Sequence, residues 1–257
     1  MHVVRPLALL PVAVVLVAGC GAETAGKAPP PVRIAQALAA QKPCRAREYR
    51  ALRSTTIAYA AVVRRSAVAY RRPGGARLAG FGPRNANGAT TVFGALGAVV
   101  TQGCAPTWYR VQLPMRPNGT VGYVRARDVG LLRVRTRIEV DISRRRVTLF
   151  RSGEPVLSAA AAVGSSATPT PTGRYYVNQR LIPADISGPF GPGAIGVSAF
   201  SNVLTGWTQG GPIAIHGTNR PSSIGQPVSN GCIRLPNPVL RRMFAAALVG
   251  TPVVIHQ

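Results

Sequence analysis

The sequence predicts a mainly β protein: a small β-barrel followed by a β-rich domain that carries one C-terminal helix. Three observations support this. Short apolar runs broken by Gly and Pro fill residues 67–124, and Asn118-Gly119 between two alternating segments is a strong hairpin signal. From Thr136 onward, Ile138, Val140 and Ile142 alternate with Glu139 and Asp141, the period of a strand with one wet face. Val239, Leu240, Met243, Phe244, Ala247 and Leu248 recur with helical spacing near the end of the chain.

The chain opens with a targeting signal. His2 and Arg5 precede an apolar run over residues 7–17, too short to span a bilayer comfortably. Leu16-Val17-Ala18-Gly19-Cys20 then resembles a bacterial lipobox, which implies cleavage before Cys20 and a diacylglycerol on its thiol. Residues 1–19 are therefore expected as a lipoprotein signal peptide and 20–40 as lipid anchor and linker. Pro29-Pro30-Pro31 stiffens that linker into an extended spacer.

Residues 41–132 form the first domain. Cys44 and Cys104 lie in it, and outside the cytoplasm such a pair is most simply a disulfide. Closing a loop of about 60 residues contributes roughly 4 kcal/mol on the chain-entropy account. Pairing either of them with Cys232 instead would consume that thiol. Trp108-Tyr109-Arg110-Val111 through Gly122-Tyr123-Val124, ending in Arg125-Ala126-Arg127-Asp128, resembles bacterial SH3-like domains that accompany wall enzymes. Trp108, Tyr109 and Tyr123 are read as core first and as a ligand groove second.

The second domain covers residues 136–257. After the first alternating strand, Ser143-Arg144-Arg145 turns the chain, Val147-Thr148-Leu149-Phe150 returns, and Ser152-Gly153 turns again. Glu139, Asp141 and Glu154 alternate with apolar neighbours and read as solvent-facing strand positions, not an acid/base pair. Residues 178–211 are rich in Gly, Pro and Ser and read in part as a flap, with Phe200 and Trp207 as its aromatics. Asn237 is placed as the cap of the final helix, Pro238 in its first turn and Gly250 at its stop. A buried strand over residues 251–256 closes the chain.

The chemistry concentrates between Ile215 and Leu235. Ile215-His216-Gly217-Thr218 ends a short apolar run, and Ser229-Asn230-Gly231-Cys232-Ile233-Arg234-Leu235 follows after a Gly/Pro/Ser-rich interval. A thiol is only slightly ionised at neutral pH, so a cysteine nucleophile needs a neighbouring base. Of three histidines, His2 sits in the leader and His256 at the chain end, which leaves His216 as the well-placed base. No Asp or Glu follows Ile186, so a backbone carbonyl, at Gly217, is expected to orient the imidazole. Amides near Asn230 and Gly231 are expected to face a developing oxyanion. Ser229, Arg234 and Trp207 are the candidate substrate contacts, Arg234 through a carboxylate of the substrate.

These residues resemble the catalytic signature of bacterial L,D-transpeptidases of the YkuD type. The resemblance covers roughly residues 136–257, with Thr168-Pro-Thr-Pro-Thr-Gly-Arg-Tyr175 as a second, weaker block. It implies a β-rich sandwich and a Cys232 thioester drawn from a peptidoglycan stem peptide. It further implies resolution of that thioester by an amine of a neighbouring stem, cross-linking two diamino-acid residues in cell-wall biogenesis. One position departs from the pattern, Asn230 standing where the family usually has His. The alternatives are an L,D-carboxypeptidase with water as acceptor, and an inactive wall-binding scaffold.

A formal net charge of +24 would suggest nucleic acid in a cytoplasmic protein. The export signal opposes that and the arginines are dispersed, so no nucleic acid is expected. Stem-peptide carboxylates, anionic wall polymers and a membrane reached through the lipid are the expected partners. No Cys/His cluster has metal-ligand spacing, and no cofactor is expected. The expected location is outside the cytoplasm, lipid-anchored and facing the wall.

Overall fold

The computed structural model describes residues 34–40, 42–205 and 211–257. The leader, Cys20, most of the expected tether and Trp207 lie outside the described residues. No described helix is long and apolar enough to cross a membrane. Among the described residues the protein is mainly β, as the alternation predicts.

The chain enters through α1 (Ile34–Ala39), where a continuous linker was expected. The reason is apolar spacing: Ile34 and Leu38, four residues apart, are buried against the first core. Eight strands follow: β1 (Glu48–Ala51), β2 (Ala58–Val63), β3 (Ala67–Tyr70), β4 (Arg77–Phe81), β5 (Val92–Val100), β6 (Pro106–Gln112), β7 (Val121–Arg125) and β8 (Val129–Val134). They form one antiparallel sheet in the order β4-β3-β7-β6-β5-β2-β8, with β1 also on β5. β5 serves two neighbours on one side. Its first half pairs with β2 and its second half with β1, and this bends the sheet around Phe93, Val111, Leu113 and Val124. β6 and β7 pair as the expected hairpin, and Gly119 takes φ +81° in the turn. Cys44 and Cys104 form the disulfide, tying the segment before β1 to the β5–β6 turn with their Cα atoms 5.3 Å apart.

The second half begins with the meander β9 (Thr136–Asp141), β10 (Arg146–Arg151) and β11 (Glu154–Ala160). β12 (Val163–Gly164), β13 (Gly173–Leu181), β14 (Ala194–Phe200), β15 (Pro212–His216), β16 (Pro227–Ser229) and β17 (Ile233–Arg234) follow. α2 (Asn237–Ala246) and β18 (Pro252–His256) complete the chain. The sheet order is β11-β10-β9-β18-β13-β14-β15-β17, with parallel pairs β9–β18 and β15–β17. β12 and β16 pair separately. One face buries Ile138, Val140, Val177, Val197, Ile213 and Val253, with Leu240 and Met243 of α2 in the same core.

Two local readings change. Residues 178–211 are not one long loop, because β13 runs to Leu181 and β14 occupies Ala194–Phe200. All residues of β14 but the last are buried, so Gly196 and Ser198 interrupt the hydrophobic pattern without interrupting the strand. At the helix, Asn237 does not cap α2, which starts after Pro236 without a side-chain cap, and Leu248 lies past its end, exposed.

The two halves meet on the sheet face opposite the second core. Tyr176 of β13 is fully buried there and donates its hydroxyl to the Val92 carbonyl at 3.0 Å. Gly94 leaves room for the ring, since a Cβ at that position would sit 2.8 Å from it. The Asn85 and Asn87 amides both donate to Gln179 Oε1, at 2.8 and 3.1 Å. From the β6–β7 turn, Asn118 exchanges two hydrogen bonds with the Phe200 backbone, and Arg116 donates to the Ser201 carbonyl.

Candidate active site

Strand parity builds the site. On β15, Ile213 and Ile215 enter the core, leaving Pro212, Ala214 and His216 on the other face. β17 runs parallel beside it, with Ile215 opposite Ile233 and His216 opposite Arg234. Ile233 and Leu235 are buried in the same core. Cys232 and Arg234 therefore share the face of His216 and Ala214. Cys232 stands one step before β17, diagonal to His216. It is the free cysteine among the described residues, since Cys44 and Cys104 are bonded.

The imidazole is fixed in one tautomer. His216 Nδ1 lies 2.6 Å from the Gly217 carbonyl oxygen, which can only accept, so Nδ1 carries the proton and Nε2 keeps its lone pair. Gly217 is held in turn: its amide donates to the Gly193 carbonyl, and Asn237 Oδ1 and Pro192 occupy the space a side chain would need. Instead of capping its helix, Asn237 accepts the Thr218 amide at 2.8 Å. Phe190, on the 182–193 loop, packs its ring 4.9 Å from the imidazole. Among the described residues it is this aromatic that meets the histidine. Phe200 lies under the Arg116 guanidinium at the first sheet.

The turn before Cys232 is stapled by hydroxyls. Gly231 has φ +105°, a conformation that favours glycine. Ser229 Oγ accepts the Gly231 amide at 3.2 Å and donates to the Cys232 carbonyl. Thr168 and Thr170 donate to the carbonyls of Ser229 and Gly231 at 3.0 and 2.9 Å. The Thr-Pro-Thr-Pro-Thr block is thus a brace under the cysteine turn. Two expectations are corrected. Ser229 is buried and spends its hydroxyl inside the turn, so it does not face a substrate. The Gly231 amide is likewise directed at Ser229. Asn230 is exposed beside them.

Electrostatics leave both reactive groups uncharged at neutral pH. Burial pushes the His216 pKa down to about 4, Arg234 adds to the fall, and the Gly217 carbonyl opposes it. Burial raises the Cys232 thiol, while the Ala214 amide and Arg234 pull it back. The thiol lies 3.9 Å from the Pro212 carbonyl oxygen, and thiol and imidazole share one face of the sheet, each favoured in its neutral form. A stability effect follows. Between pH 6.5 and about 4 the unfolded chain takes up a proton that folded His216 refuses. Stability should therefore fall as pH drops through that window, by up to about 3 kcal/mol from this residue. Denaturant titrations at stepped pH should show that acid loss shrinking in His216→Gln.

The comparisons with known proteins fall on this half. Residues 135–255 match the L,D-transpeptidase catalytic domain, YkuD. The Bacillus subtilis (strain 168) protein YkuD, provisionally named an L,D-transpeptidase, is 33% identical over 120 residues, covering 47% of this chain and 65% of its own length. Its Bacillus licheniformis counterpart, named likewise, is 34% identical over 119 residues, covering 46% and 64%. The chain thus spans just under two thirds of these relatives. An Enterococcus faecium L,D-transpeptidase of known crystal structure is 25% identical, with 47% of this chain and 49% of that one covered and a TM-score of 0.38.

Proposed function

We propose that this protein is a peptidoglycan L,D-transpeptidase working through a cysteine thioester. The observation that carries the reading is the shared face of β15 and β17, which sets the free Cys232 diagonal to an imidazole whose Nε2 is unprotonated. It lies inside the region matching the L,D-transpeptidase catalytic domain. His216 Nε2 takes the thiol proton as sulfur attacks the stem-peptide carbonyl, and later returns it to the leaving amine. The peptide C–N bond breaks, the terminal D-amino acid leaves, and a C–S thioester remains. The amine of a second stem then attacks, giving its proton to the imidazole and restoring the thiol. The Cys232 amide supports the oxyanion, and the Arg234 guanidinium favours the negative charge that builds near it. Water in place of the amine would make the product of an L,D-carboxypeptidase.

In this reading the first half is an SH3-like wall-facing module, and Cys20 anchors the chain outside the cytoplasm. Intact-protein mass after mixing with a carbapenem, and then with a tetrapeptide stem, tests the chemistry. The expected result is a covalent adduct on Cys232 and release of the terminal D-amino acid. A folded protein with a titratable Cys232 thiol and no adduct would overturn the proposal.

A further inference from the structure

A second concave site lies on the same sheet, far from Cys232. A groove of about 740 Å³ is lined by Arg53, Arg135, Arg137 and Arg174, with Glu139 and His256 at its wall. Its floor is β9, β18 and the start of β13, and its other wall is the 53–58 segment of the first half. β15 lies two strands beyond β13, about 10 Å further along the sheet.

The charges in this groove are not balanced from within. Glu139 is its one carboxylate, and it is already bonded to Arg137 Nη1 at 2.5 Å and His256 Nε2 at 3.2 Å. Arg137 also lies over the Phe150 ring, its guanidinium carbon 3.9 Å from the centroid. Arg53, Arg135 and Arg174 have no carboxylate partner among the described residues. Arg53 is half-buried, and burial together with the positive charge of Arg174 holds its pKa below the ordinary value. Two like charges brought together without a counter-charge cost stability that a bound anion would return.

The backbone beneath them is fixed from both halves. The Gln112 amide donates to the Arg174 carbonyl, and the Ser152 amide to the Arg135 carbonyl. The guanidinium forks that this backbone carries suit oxyanions with several acceptor oxygens. A recessed groove admits a single chain and keeps a flat bilayer away from Arg53.

We infer that this groove binds a phosphodiester-linked polyanion, one chain at a time, independently of the chemistry at Cys232. The test is fluorescence anisotropy of a labelled glycerol-phosphate oligomer across a salt series, with Arg53→Gln/Arg174→Gln set against Arg241→Gln/Arg242→Gln. The second pair removes the same charge from the exposed face of α2. The groove variant should lose more than about tenfold in affinity, and its salt dependence should flatten by about two contacts. The helix variant should lose less than about twofold, and acylation of Cys232 should be unchanged in both.

Removing two like charges should leave the melting temperature equal or higher. If the double variant melts low, Arg135→Gln, at an exposed side chain, carries the same comparison. Equal losses in the groove and helix variants would mean diffuse attraction and overturn the site. Equal binding of poly-glutamate would overturn the phosphate class, and binding only to phosphatidylglycerol vesicles would overturn the single-chain ligand.

Discussion

Replacing Cys232 with alanine should abolish acyl-enzyme formation and leave a folded protein. The side chain lost is small and mostly buried, and the turn around it is held by Ser229, Thr168 and Thr170, not by the sulfur. His216→Ala should retain the thiol but slow acylation by about 10² to 10⁴, the usual worth of a positioned general base. Ultraviolet thiolate absorbance adds a direct check. With the histidine held down to about 4 and the thiol held up, no thiolate band should be present at neutral pH, and it should develop only above the ordinary thiol range. A thiolate band at pH 7 in the resting protein, lost in His216→Ala, would show a preformed ion pair and contradict the neutral pair.

Opening the Cys44–Cys104 bond should produce the largest stability change. The bridge closes a 60-residue separation that includes β1 to β5. Its chain-entropy contribution is about 4 kcal/mol, which corresponds to a fall of about 10 °C in a domain pair of this size. Thermal melts of Cys44→Ala/Cys104→Ala, or of the parent under reductant, should show it. Below the melt, acylation of Cys232 should persist, because the bridge lies in the first half and Cys232 in the second. The unreduced parent should titrate one accessible thiol at most among the described cysteines.

What could be read from the sequence was what is written locally. Ile138-Glu139-Val140-Asp141 announces its strand because alternation is a property of neighbours, and Asn118-Gly119 announces its turn for the same reason. His216, Gly217 and Cys232 stood out because each lies in a short motif, and the structure puts the imidazole on the Gly217 carbonyl and Cys232 on the same face. Ser229 was misread because a hydroxyl beside a nucleophile looks identical whether it faces substrate or its own turn. Only the burial of the side chain decides that. The threonines at 168 and 170, Phe190 on the imidazole, and Arg53 beside Arg174 depend on contacts between residues far apart in the chain, which no local pattern records. β14 was hidden for a different reason. Its glycine and serine resemble loop composition, yet small residues were needed there because the Tyr176 amide donates to Ser198 Oγ and Gln179 crowds Gly196.

Tyr176 joins the fates of the two halves. Its ring belongs to one sheet and packs against the other, and separating them would expose aromatic surface at a cost of about 1.5–3 kcal/mol. Its hydroxyl would lose the Val92 carbonyl in the same event. Neither half can therefore open without charging part of the cost to its neighbour, so heating should melt both in one cooperative calorimetric transition.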